Sequence, residues 1–146
     1  MSAITDDPAN RKRFDVVQAA SRAAEIVPGP VQATVLRVID GDTFEARALI
    51  WPDIEVAVAV RLAGIDAPEL HAPCPREREL VTAAHALLAG ELLAAGSVLL
   101  SQVAHDKYAG RIVAEVRLPD GRSAAPLLLA SGLATPFGQA HDWCSR

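Results

Sequence analysis

Two stretches of strict period-two alternation, parted by a short turn, constrain this chain more than any other feature. From Thr43 to Trp51, Phe44, Ala46, Ala48 and Ile50 fall on one face while Glu45 and Arg47 fall on the other. Pro52-Asp53 makes a turn. From Ile54 to Gly64, Val56, Val58, Val60 and Leu62 then alternate with Ala57, Ala59 and Arg61. Only an extended strand sends successive side chains to opposite faces, so this pattern predicts two strands, each with an apolar face. The expected core face carries Phe44, Ala46, Ala48, Ile50, Val56, Val58, Val60 and Leu62. Arg61 stands on the other face among small residues, which could floor a concave site.

The rest of the chain adds strands rather than strand–helix repeats. Thr34 to Asp40, Ser97 to Ala104 and Arg111 to Leu118 are rich in β-branched and aliphatic residues, the last followed by an Asp120-Gly121 turn. Pro75 to Ala95 reads as a helix: Pro75 suits the first turn, Glu77 and Glu79 favour its positive end, and Gly96 can stop it. Its buried stripe would be Leu80, Ala84, Leu87, Leu88 and Leu92. Ser123 could cap a short helix through Ala130, ended by Gly132. A weakly amphipathic helix over Phe14 to Ile26, with Val17, Ala20 and Ala24 on one face, would end at Pro28-Gly29-Pro30. Residues 1–30 are therefore expected to be an extension, partly disordered or helical, and 31–146 one folded domain. Five strands, two or three helices and no βαβ alternation predict a β-rich α+β fold, a small closed barrel of the oligonucleotide-binding type.

Composition narrows the function classes. The chain has 146 residues, of which 51% are hydrophobic, mostly Ala, Val and Leu, and 4% aromatic. That suffices for one globular core and argues against disorder. The longest apolar stretch, Ala83 to Ala95, is broken by His85, Gly90 and Glu91, so nothing is expected to span a membrane. Asp6, Asp7, Arg11, Lys12, Arg13 and Asp15 interrupt the N-terminus, and no signal peptide is readable. On this sequence the protein is expected in the cytoplasm, or secreted or periplasmic if an export signal lies outside it. The net charge of -4 argues against tight non-specific binding to nucleic acid, though a metal site needs local acid.

Three blocks carry chemistry: Val38-Ile39-Asp40-Gly41-Asp42-Thr43, Val60-Arg61-Leu62-Ala63-Gly64-Ile65-Asp66-Ala67-Pro68-Glu69, and Asp106-Lys107-Tyr108-Ala109-Gly110-Arg111. Asp42, Asp66 and Glu69 can share a hard cation, and Arg61 and Arg111 can meet phosphate oxygens. Together they suit phosphodiester cleavage, in which a cation neutralises phosphate and guanidinium groups stabilise developing charge. Plainer readings stand beside this one: turn acids for Asp42 and Asp66, a solvated Glu69, a surface Arg61, an Arg111 paired structurally with Asp106, and a packed Tyr108. His85 and His105 read as surface or core histidines. Cys74 and Cys144, in His71-Ala-Pro-Cys74 and His141-Asp-Trp-Cys144, could be free thiols or half of a tetrahedral zinc site.

With a weaker fourth block, Leu127 to Ala134, these motifs make Thr34 to Leu133 resemble the staphylococcal nuclease-like (thermonuclease) domain. The resemblance implies a five-stranded oligonucleotide-binding barrel and a calcium-dependent hydrolase; a monomer is expected. Its substrates would be DNA and RNA, with the 5′-oxygen leaving and 3′-phosphate ends produced. Residue by residue it implies Asp42, Asp66 and the carbonyl of Ala67 (often Thr in the family) as Ca2+ ligands. Glu69 becomes the general base, Arg61 and Arg111 the phosphate arginines, and Lys107 and Tyr108 substrate contacts. It also implies a disulfide between Cys74 and Cys144, since exported relatives tend to carry cysteines at both places. The chain departs from the pattern at Ala109, an extra residue in the turn that aims Arg111. Phe137 stands roughly where an aromatic stacking residue is expected. The alternative is a catalytically silent barrel that binds single strands or a protein partner.

Overall fold

The computed structural model describes residues 26–68, 74–107, 110–139 and 142–144. The helix expected over Phe14 to Ile26 lies outside them except for Ile26. Five strands close into a barrel. β1 (Val31–Asp40) pairs antiparallel with β2 (Thr43–Trp51), and β2 with β3 (Ile54–Leu62). β5 (Ser97–His105) pairs antiparallel with both β1 and β6 (Arg111–Arg117). The ring is completed by a parallel pairing of β3 with β6 over Ala59 to Leu62. The remaining elements are β4 (Ile65–Asp66), α1 (Pro75–Ala95), α2 (Ala124–Ala130) and β7 (Thr135–Pro136). The oligonucleotide-binding barrel expected from the alternation is the fold observed.

Phe44, Val60, Leu62, Val98 and Leu100 fill the barrel, and Leu88 and Leu92 of α1 and Leu128 of α2 cover it. Burying such side chains is worth about 1.5–3 kcal/mol each. α1 begins and ends where its breakers predict. Cys74 is its N-cap, with Sγ accepting the Glu77 N–H at 3.4 Å, and Pro75 takes the first helical position. Gly96, at φ +77°, closes it by donating its N–H to the Leu92 carbonyl. The stripe is narrower than expected, because Leu80 and Leu87 are only half-buried. Ser123 occupies the N-cap of α2 but makes no side-chain cap; its backbone is paired in a bridge to Arg117 instead.

The hairpin departs from expectation at its outer end. Ile50 is 57% and Val56 38% exposed, although both lie on the core-facing set. The β1–β2 ladder reaches only Ala33–Ala48, and β6 meets β3 only from Ala59 onward. Beyond those rungs the hairpin runs past the core. Cys74 and Cys144 are joined by a disulfide, S–S 1.99 Å, across 70 residues. The thiols are therefore neither free nor zinc ligands, and the bridge ties the C-terminal segment to the start of α1. No helix among the described residues is long and apolar enough to cross a membrane.

Candidate active site

The site grows from the tight β1–β2 turn. Asp40 Oδ1 accepts the N–H of Asp42 at 3.1 Å, the local bond that lets an aspartate shape a turn. Gly41 is needed for space: a Cβ there would come within 2.6 Å of the Ala84 Cβ on α1 and 3.1 Å of the Ala67 Cβ. The turn is thus pressed against the helix, and Asp42 is aimed into the adjoining cleft. Buried Thr43 donates its hydroxyl to Asp42 Oδ1 at 2.9 Å, and the Ala67 N–H approaches Asp42 Oδ2 at 3.4 Å. Burial, then the neighbouring Asp40, pushes the Asp42 carboxyl up to about 6, against the opposing pulls of Thr43 and Arg61.

Arg61 stands directly across β2–β3 from Thr43. Its Nη2 donates to Asp66 Oδ1 at 2.5 Å and to the Ile65 carbonyl at 3.3 Å, and lies 3.8 Å from Asp42 Oδ2. The guanidinium also lies over the Phe137 ring, 5.1 Å from its centroid, within reach of a cation–π contact. Phe137 comes there because β4 pairs with β7, Ile65 opposite Pro136 and Asp66 opposite Thr135. The next residue, Gly138, donates its N–H to Asp66 Oδ2 at 3.1 Å. Arg111 opens β6 opposite Ala59, with Nε 3.0 Å from Asp106 Oδ2. The backbone closes the same turn, the Asp106 N–H donating to the Arg111 carbonyl at 3.2 Å. The extra Ala109 therefore does not keep Arg111 from the cleft.

Asp40, Asp42, Arg61, Asp66, Ala67, Asp106, Lys107, Arg111 and Phe137 line one cleft of about 620 Å³. The structure thus brings together every expected site residue that it describes apart from the cysteines; Glu69 and Tyr108 lie outside the described residues. Asp40, to which no site role was given, also faces the cleft, and so does Asp106, whose expected pairing with Arg111 is observed. The small-residue floor is not realised, since Arg61 is the one β3 residue lining this cleft. Ala57 and Ala59 line a separate hollow with Gly110. Gly110 meets β3 at Ala59, whose N–H donates to the Gly110 carbonyl at 3.4 Å.

The donors around Asp42 are all hard oxygens, which suits calcium rather than zinc or copper. Burial is the main cause of the raised Asp42 carboxyl and Arg61 only partly offsets it, so a cation held beside it would favour the ionised form.

The family model for staphylococcal nuclease homologues matches residues 59–143, more than half of the chain. The chain belongs to the staphylococcal nuclease family. That stretch contains Arg61, Asp66, Ala67, Lys107 and Arg111 and begins beyond Asp42. Over 110 residues the chain is 31% identical to a protein of Escherichia coli described as an uncharacterized endonuclease, and 30% identical to one of Escherichia coli O157:H7 described in the same words. The alignments cover 75% of this chain and 63% of each relative, so the chain spans less than two thirds of the relatives it matches.

Proposed function

We propose that the chain is a calcium-dependent nuclease that hydrolyses phosphodiester bonds in DNA and RNA, leaving 3′-phosphate ends. One observation carries the reading: Asp42, Asp66, Arg61 and Arg111 converge on a single cleft of a staphylococcal-nuclease-family barrel. The relatives' description as endonucleases points the same way. Asp42, Asp66 and the Ala67 carbonyl would hold the calcium, which when bound supplies positive charge beside the phosphate and favours ionisation of water.

The chain's own groups then do the following. Arg61, held in place by Asp66 and Phe137, presents a planar fork that fits two phosphate oxygens at once. Arg111 meets the phosphate from β6, the strand paired with that of Arg61, steadied by Asp106. Both stabilise the charge that grows on the equatorial oxygens as the P–O5′ bond breaks. Glu69 accepts the proton of the attacking water. The disulfide supports an oxidising compartment, because such bonds are rare where thiols are kept reduced. The expected working form is a monomer.

The test is degradation of heat-denatured DNA and of RNA by the purified chain, with calcium and with a chelator. Cleavage that needs calcium and leaves 3′-phosphate ends is expected. Binding of single strands without cleavage would instead make the barrel a binding module.

A further inference from the structure

We infer that His85 is a positioning residue for the calcium-binding turn, acting through the Val38 carbonyl. The inference rests on the calcium reading above and extends it to a residue outside the cleft. His85 lies on α1, immediately after the Ala84 against which Gly41 is pressed. Its Nε2 stands 3.1 Å from the Val38 carbonyl, 47 residues away in the chain. A carbonyl only accepts, so Nε2 carries the hydrogen.

The place of this contact gives it leverage. The β1–β2 register shifts between Val38 and Asp40, so β1 leaves regular pairing just where it must present Asp40 and Asp42. A strand end at such an irregularity needs other restraints on its backbone. From inside, Asp40 accepts the Asp42 backbone N–H and Thr43 donates its hydroxyl to the Asp42 carboxylate. From outside, two successive helix residues hold the turn: Ala84 by contact with Gly41, and His85 by a hydrogen bond two residues before Asp40. His85 is half-buried and does not line the cleft, so it is placed to touch neither cation nor substrate. Its effect passes through the backbone to the position of Asp42.

The experiment is calcium titration by calorimetry on the full, disulfide-bonded chain, comparing wild type, His85→Leu and His85→Gln. Partners that orient metal ligands typically contribute 10- to 100-fold in affinity. His85→Leu should weaken calcium about tenfold. His85→Gln, whose amide nitrogen can take the place of Nε2, should recover most of that. Circular dichroism in chelator checks that each variant is folded. If His85→Leu does not fold, His85→Asn carries the test, its amide being too short to reach Val38. Equal affinities in wild type and all variants would overturn the inference. So would equal weakening by Gln and the non-donating variant, which would reduce His85 to packing. A wild type that takes up no calcium would overturn the calcium reading, and this inference with it. Calcium binding by the wild type with unaffected variants overturns the inference alone.

Discussion

The two ends of the β2–β3 hairpin are built from the same alternation and have opposite surroundings. At the inner end, Phe44, Val60 and Leu62 are fully buried, and Arg61 between them is held by Asp66, Ile65 and Phe137. At the outer end, Ile50, Trp51 and Ile54 are 57%, 69% and 50% exposed. Alternation encodes which face a side chain takes; it carries no information on whether anything lies over that face. The inner end is covered by α1 and the closing strands β5 and β6, and there the chain concentrates its charged chemistry. The comparison can be broken or sharpened by substitution along the hairpin and its turn.

The largest effect is expected at Arg61. Arg61→Lys keeps the charge but loses the planar two-point grip, and with it the shared contacts to Asp66 and Ile65. Removing one group aimed at transition-state charge typically costs about 100- to 1000-fold. Calcium-dependent cleavage of heat-denatured DNA should fall at least about 100-fold with circular dichroism unchanged, and Glu69→Gln should do the same. Activity within a few-fold of wild type in both variants would remove the inner end from the chemistry.

Asp42 should show a trade between stability and metal. Its folded carboxyl is raised from the usual 3.8 to about 6, so above pH 6 the metal-free fold carries a carboxylate that costs more than in the unfolded chain. As pH falls from 6 towards 4 that penalty fades, and below both values it vanishes. Asp42→Asn keeps the acceptor for the Thr43 hydroxyl and removes the charge. In chelator at pH 8 it should be more stable than wild type by about 1–3 kcal/mol, the difference shrinking towards pH 4. With calcium the order should reverse, because Asn binds the cation less well. Urea denaturation at the two pH values checks the sign. A destabilised Asp42→Asn in chelator would show that the turn needs the carboxylate itself.

Gly41→Ala tests the contact between turn and helix. Its Cβ would stand 2.6 Å from the Ala84 Cβ, and neither methyl can rotate away. Overpacking of this kind costs about 1–3 kcal/mol. Ala84→Gly in the same chain should recover part of the loss, less the cost of glycine inside a helix, about 1 kcal/mol. No recovery would place the strain at Ala67 instead, 3.1 Å away on the other side.

The regular elements were legible because their signals are local. Alternation marked the strands, Pro75 and Gly96 bounded α1, and the acids and arginines of the site sit in linear blocks at strand ends. What escaped depends on contacts between distant segments. β4 and β7 are two residues each, too short for any period, yet they bring Gly138 onto Asp66 across 72 residues. His85 read as a plain helix histidine because Val38 is 47 residues away. Ile50 and Val56 were assigned to the core because their face is right; that the barrel ends at Ala48 and Ala59 depends on how far β1 and β6 reach. The cleft floor failed for the same reason, since Ala59 is met by Gly110, from far along the chain.

The smallest effect, and the sharpest version of the comparison, lies within β3 itself. Val56 and Val60 share a strand and a face, and differ in exposure: 38% against 0%. Valine to threonine changes a methyl to a hydroxyl at nearly constant shape and keeps the branched side chain that suits a strand. At Val60 the hydroxyl enters a dry core in which its hydrogen-bonding groups must compete for backbone partners, and a loss of about 1–3 kcal/mol is expected. At Val56 the hydroxyl meets water, and the change should stay within about 0.5 kcal/mol. Urea denaturation of both variants at low protein concentration reads the difference directly. A Val56→Thr cost that matches Val60→Thr would mean that the outer face is covered in solution. If that cost grew with protein concentration, the cover would be a second copy of the chain, and the contrast between the two ends would belong to the isolated chain only.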